Sequence, residues 1–265
     1  MTVASGNNAG NFLLGRVPTG TTAKLFFSTY TLNAADEAAL AASAHEDARM
    51  YVYNAVVSFL GGMTGLQTQQ AAWTVTKMYY VAFYIGRAAL CRAGHVIFHA
   101  PKDGGNGHTQ YEIQVRVGER ASIVNKIPST HKLVAFRFNK IGYPAFMRNL
   151  QIDGVDPIMW LMEQREYWQY RARRFPDPDF PSILDQIDPD KVQRLLAEYA
   201  ADSKGVYLAD PSHAVVSVPF RLMAWALGIE SLLSPGVVDA EDLSYLRRRC
   251  NLGRQKLMAI EQYLN

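Results

Sequence analysis

The sequence predicts a mainly α-helical bundle with a small β-hairpin inserted around residues 95–118 and a C-terminal helical extension. Three observations carry that expectation. Residues 72–95 are apolar on nearly every side, as a helix in the middle of a core must be. Helix start and stop signals recur along the chain, at Asn33, Gly94 and Asp156-Pro157. Clean alternation of apolar and polar residues is confined to Gln110–Gly118.

Taken in order, residues 1–22 are rich in Gly, Asn and Thr without periodicity, and read as a loosely ordered arm. Lys24–Leu32 reads as a short strand or an extended segment, so that the arm as a whole covers residues 1–32. Asn33 is placed as an N-cap, with Asp36 and Glu37 complementing the first turn of a helix that runs to about Leu60. Gly61-Gly62 is expected to end it, and Gly65 to mark the connection into the central helix. That helix stops at Gly94. His95–Ala100 and Gln110–Gly118 then pair across a glycine-rich loop, with Tyr111, Ile113, Val115 and Val117 on one face.

Helix returns at Thr130–Lys140 and again from Pro157 to about Arg174, opened by Asp156 as cap and Pro157 in the first turn. Phe175–Pro181 is a proline-rich connector. Further helices are expected from about Pro189 to Ala201, Pro211 to Leu233 and Ala240 to Leu264. The expected organisation is thus an arm (1–32), a helical bundle carrying the hairpin (33–175) and a C-terminal extension packed on the same body (176–265).

The bulk properties narrow the class. Apolar residues make up 49% of the 265, which excludes global disorder. No apolar run reaches the roughly 18 residues of a membrane span, and no secretory leader pattern opens the chain. A cytoplasmic protein with no membrane partner is the expectation. Two cysteines, Cys91 and Cys250, make no disulfide framework. The net charge of +3 is too small to argue for nucleic acid by itself, so that reading must rest on local patches.

Three constellations bear on chemistry. The central helix has one polar strip: Lys77, Tyr80, Tyr84, Arg87 and Cys91, spaced to fall within one quadrant at about 3.6 residues per turn. A polar strip on a core helix must be satisfied by a partner helix or open onto a functional cleft. The helix from Pro157 interleaves Arg165, Arg171, Arg173 and Arg174 with Tyr167, Trp168 and Tyr170, and arginine among stacking aromatics suits single-stranded nucleic acid. The same basic end also complements the helix dipole, as does the cluster Arg247–Arg249 with Arg254 and Lys256 on the last helix. Cys91, His95, His99 and His108 are ligand types, but they straddle a helix end, a strand and a loop. Neither a metal nor a cofactor is therefore expected.

The run Tyr79-Tyr80…Phe83…Ala89-Leu90, closed by Gly94, resembles the second helix of HEPN-type domains. Thr130-His131-Lys132 is similar to the family's histidine-bearing segment, and Arg165–Tyr170 to its arginine helix. The resemblance covers about residues 34–175. It implies a HEPN-like bundle, a homodimer or a complex with other protein subunits, and RNA or single-stranded nucleic acid as a further partner. Many such domains are metal-independent ribonucleases whose arginine is followed, after four to six residues, by a histidine. Counted from Arg165, that spacing lands on Tyr170, Arg171 or Ala172. A tyrosine with its ordinary pKa of about 10 is a poor general base near neutrality.

Two readings follow from the resemblance. One is a non-catalytic or weakly catalytic subunit of a bacterial phage-defence or toxin–antitoxin assembly, and the missing histidine favours it. The other is a ribonuclease using Arg165 with Tyr170 or a distant histidine such as His131. The residues expected at the site are Lys77, Tyr80, Tyr84, Arg87, Arg171, Arg173 and Arg174 for binding, with Arg165 and Tyr170 facing the strip of the central helix.

Overall fold

The computed structural model describes residues 7–171 apart from 69, 105, 126, 128 and 143, residues 189–228, and residues 241, 244 and 245. Within them the chain is mainly helical with one small antiparallel sheet. Contacts along the backbone divide the chain into two compact units. One comprises residues 1–51 and 86–141, the other residues 52–85 and 142–265. The long helices α3 (Ala34–Gln67) and α4 (Ala71–Arg92) each contribute one part to each unit.

In the first unit the expected arm proves to be structured. Helix α1 (Asn8–Gly15) is capped by the Asn7 side chain, which accepts from the Gly10 amide at 2.7 Å, and it buries Ala9, Leu13 and Leu14. Its first two amides donate to Asp47 at 2.7 and 2.9 Å, so one carboxylate satisfies donors that the helix cannot bond itself. The segment expected to be a short strand or an extended stretch is helix α2 (Ala23–Thr29), started by Thr22 accepting from Leu25 N. Both elements depart from the expectation for one reason: each is short, and its burial depends on distant partners rather than on a repeat in its own sequence. Phe27 of α2 packs against Phe98 and Tyr111, each at a ring separation of 5.3 Å.

The hairpin forms as expected, with β1 (His95–Pro101) antiparallel to β2 (His108–Gln114) and Phe98 opposite Tyr111. A third strand, β3 (Ser122–Ile123), adds to β2. The alternation of the sequence runs past the true strand end. Val115 N still bonds Gly94 O, but the chain then turns, and Val117 is exposed rather than buried. Gly94 sits at φ +76°, the left-handed conformation that ends α4, as its glycine predicted. Helix α5 (Thr130–Ile141) completes the unit, burying Leu133, Val134, Ala135 and Phe138.

In the second unit, Gly61-Gly62 does not end α3. A side chain at Gly62 would meet Met78 Cε at 2.8 Å, and one at Gly65 would meet Thr74 Oγ1 at 2.6 Å. These glycines let α3 and α4 approach closely, and the Thr74 hydroxyl donates to Gly62 O at 3.2 Å across the contact. A glycine pair reads as a helix stop only until its packing partner is known.

Helix α6 (Pro157–Glu166) starts as predicted, with the Asp156 carboxylate accepting from Ile158 N and Met159 N and Pro157 in the first turn. Ile158, Leu161, Met162 and Trp168 are all buried, as expected. The helix does not run on regularly to Arg174: Tyr167–Arg171 form one π-helical turn. Helices α7 (Pro189–Ala201), α8 (Val206–Ala209) and α9 (Pro211–Gly228) follow. The connector Phe175–Pro181, the helix expected at 240–264 and its basic cluster lie outside the described residues, save for 241, 244 and 245 within that helix. No described helix is long and apolar enough to cross a membrane.

Candidate functional site

Helix α4 carries the polar strip that its spacing predicted. Lys77, Tyr80, Tyr84 and Arg87 are half-buried among fully buried neighbours, and Cys91 is buried. The strip is divided between the two units: Lys77, Tyr80 and Tyr84 belong to the second, Arg87 and Cys91 to the first. Tyr80 and Tyr84 stack at 5.8 Å with 28° between their planes, one helical turn apart. The carbon stem of Lys77 lies beside Gly61, with Cδ and Cε 3.7 Å from where a β-carbon would stand.

Arg87 is held from two sides. Its guanidinium donates to Ile97 O at 3.1 Å and lies over the Tyr51 ring at 4.5 Å. The same carbonyl accepts from Asn7 Nδ2 at 3.1 Å, and Asn7 Nδ2 also reaches the Tyr51 hydroxyl at 3.4 Å. Burial pushes the Asp47 carboxyl above the ordinary carboxylate range, opposed by the two α1 amides and by the charge of Arg87. Burial likewise pushes the Cys91 thiol up to about 12, which keeps it protonated near neutral pH. This part of the strip is a structural network that fastens α1 to the unit.

Arg165 is the other predicted centre. Its side chain is only 11% exposed, and its guanidinium lies over the ring of Tyr79 at 4.9 Å. Tyr79 is a core residue of α4, one position off the polar strip, and burial pushes its phenol up against the opposing charge of Arg165. Glu166 offers a carboxylate oxygen at 3.7 Å. The Nε of Arg165 is buried and has no hydrogen-bond partner among the described residues. The expected placement is therefore corrected: Arg165 packs into the core on Tyr79, and Arg87 belongs to the other unit.

The π turn after Arg165 gives its side chains contrasting exposures. A π turn advances each residue by less than the α-helical angle, which changes which side chains face the core. Trp168 stays buried, while Tyr167 is 44% and Tyr170 76% exposed. Arg171 is exposed beside them, and Arg173 and Arg174 lie outside the described residues. Arg165 and Tyr170 thus have opposite surroundings, one under aromatic cover and the other in solvent. His131, the distant histidine considered for this site, stands in the first turn of α5 in the first unit.

One arginine does precede a histidine by the family spacing, Arg92 and His99 with six residues between them. The structure gives them separate tasks. Arg92 donates to Nδ1 of His45. His99 Nε2 bonds the Thr130 hydroxyl at 3.0 Å.

A further cluster had no signal in sequence spacing. The Tyr199 hydroxyl bonds His213 Nδ1 at 2.9 Å, and Asp210 stands 4.0 Å from His213 Nε2. This resembles a relay in outline, but Tyr199 is completely buried and burial pushes its phenol up, so it holds its proton out of reach of substrate. Asp210 meanwhile accepts from Ser212 N at the start of α9. The cluster serves packing.

No family model matches the chain, and no curated protein or solved structure shows significant similarity to it.

Proposed function

We propose that the chain is a non-catalytic, HEPN-like subunit of a bacterial multi-protein assembly of the phage-defence or toxin–antitoxin type. The observation that supports this reading best is the state of Arg165. A catalytic arginine must reach a phosphate, and this one is stacked on Tyr79 with its Nε buried. The positions where a histidine would complete the family motif carry Tyr170, Arg171 and Ala172, and a tyrosine phenol is a poor base near neutral pH. Both features favour a binding role over the ribonuclease alternative.

The test is co-purification. The tagged full chain is expected to come out in stoichiometric complex with a protein encoded beside it. Monodisperse, partner-free protein that digests RNA would defeat the proposal.

One observation supports RNA as an additional ligand of the same subunit. Tyr167, Tyr170 and Arg171 are exposed together on the π turn, and stacking rings beside a guanidinium suit single-stranded bases and phosphates. Fluorescence anisotropy with a labelled single-stranded RNA should then register binding that Tyr170→Ala weakens about tenfold, from a stacking loss of about 1–3 kcal/mol. Equal binding by the variant would remove the π turn as the contact.

A further inference from the structure

Helix α5 is fastened to the first unit from one side only, where it buries Leu133, Val134, Ala135 and Phe138. Lys132, Phe136 and Lys140 are exposed, and their spacing of four places them on the opposite side, within an arc of about 80° over two turns. Lys132 and Lys140 have no ion-pair or hydrogen-bond partner among the described residues. The sequence contains no Asp or Glu between Glu119 and Asp153. Glu112, which reaches α5 from β2, is taken up by Arg137, whose Nε donates to it at 2.7 Å and whose Nη2 donates to its other oxygen. Neither lysine is neutralised by a described residue.

Phe136 is the unusual member of the stripe. It stays 46% exposed on a helix that buries four other apolar side chains. Lys140 Nζ lies 4.6 Å from its ring centre and the Arg137 guanidinium 5.6 Å. These cation contacts restrain the ring, so its open apolar surface is held in one place. An apolar anchor with a cation one turn to either side is the complement of an acid–apolar–acid stripe on a second helix. Residues four apart are about 6 Å apart along either axis, so two such stripes stay in register over both turns. Single-stranded nucleic acid fits this face less well. A base stacking on Phe136 would have to displace Lys140, the cation that would hold its phosphate.

We infer that the outer face of α5 docks an acidic amphipathic helix of a partner subunit. One carboxylate meets Lys132, an apolar side chain covers Phe136, and a second carboxylate meets Lys140. Exposed ion pairs are individually weak, so Phe136 supplies the burial while the lysines set register and sign. The inference rests on the reading of the chain as an assembly subunit, and adds to it the surface used and the chemistry of the partner.

Fluorescence anisotropy on the full chain tests this with a labelled helical peptide of about fifteen residues that carries glutamate, leucine and glutamate four residues apart. Saturable binding is expected, at least tenfold weaker when glutamine replaces both glutamates and about tenfold weaker with Phe136→Ala. Lys132→Glu combined with Lys140→Glu should abolish binding of this peptide and create binding of its counterpart with lysine at both glutamate positions. A misfolded variant could not give that reversal. A peptide that fails to bind the unaltered chain, or binds the double variant equally well, overturns the proposal. So does a uridine oligonucleotide that displaces the peptide and needs Phe136 to bind, which would make the face a nucleic-acid site. A neighbour-encoded partner that co-purifies undiminished with the double variant overturns the α5 assignment and leaves the assembly reading standing. Peptide binding by a chain that co-purifies with no partner does the reverse.

Discussion

Two arginines lie over tyrosine rings, one in each compact unit, and they are satisfied very differently. Arg87 is 4.5 Å above Tyr51 and also donates to a backbone carbonyl, within a network that includes Asn7 and Asp47. Arg165 is 4.9 Å above Tyr79, but its Nε is buried without a partner among the described residues. The ring contact is common to both, so the difference comes from the hydrogen bonds. A cation on a ring is worth about 0.5–2 kcal/mol, whereas a buried donor left unsatisfied costs about 1–3 kcal/mol. Arg87 is therefore a net contributor to stability and Arg165 is close to neutral. A ring contact alone therefore does not set what a buried arginine contributes; its hydrogen bonds decide.

The same substitution at both positions gives the strongest test of that contrast. Arg87→Met should cost about 3 kcal/mol in urea titration, because it removes the ring contact and a charge-assisted bond to Ile97 O. Arg165→Met should change stability by less than about 1 kcal/mol, since a buried apolar stem replaces a partly unsatisfied cation. Equal losses at the two sites would break the comparison.

Asp47 sharpens it next. Asp47→Ala removes the acceptor of two α1 amides and should cost about 2 kcal/mol. The loss should be local, visible as faster hydrogen exchange at residues 8–15 and not in α6. Slower or unchanged exchange there would mean that α1 is held by its buried Leu13 and Leu14 alone.

The smallest expected effect is on pH. Burial, aided by Arg137 near His95 and by Arg87 and His108 near His99, lowers the pKa of both histidines. Protonation is then favoured in the unfolded chain, whose histidines titrate at about 6.5. Stability from these groups is complete above that pH and is lost as pH falls toward the lowered folded values. His99→Gln should flatten the decline below pH of about 6.5, and Arg165→Met should leave it unchanged. A decline as steep in the His99 variant as in the unaltered chain would assign it to other groups, His95 among them.

What was legible in the sequence follows a physical rule. Signals that act within one or two helical turns were readable: the Asn33 and Asp156 caps, the Gly94 stop, the alternation through Tyr111 and Ile113, and the half-buried strip on α4. Features set by contacts between distant segments were not. Gly61-Gly62 looked like a stop because Met78 is invisible from its neighbours in the chain. α1 reads as a loose arm and α2 as a short strand or extended segment because Asp47, Phe98 and Tyr111 lie dozens of residues away. Asn7 ahead of Leu13-Leu14 was the one local hint of α1, since it is a capping residue before an apolar pair.

The candidate site divides along the same line. Residue types and helical spacing picked out Arg165, Tyr170 and the strip from Lys77 to Cys91, because helical geometry places such residues on predictable faces. Which of them are covered was a matter of tertiary structure. Packing put Arg165 on Tyr79, left Tyr170 in solvent and built Arg87 into a network. A cleft lined by Glu37, His45 and Arg92 joins the first turns of α3 to the last turn of α4, more than forty residues apart. No local pattern encodes such a meeting. By itself the sequence determined the mainly helical class, the hairpin and the chemistry available on α4 and α6, because these depend on short-range periodicity. Tertiary structure alone decided which charges are satisfied, since hydration and hydrogen bonding are settled by whatever packs against them.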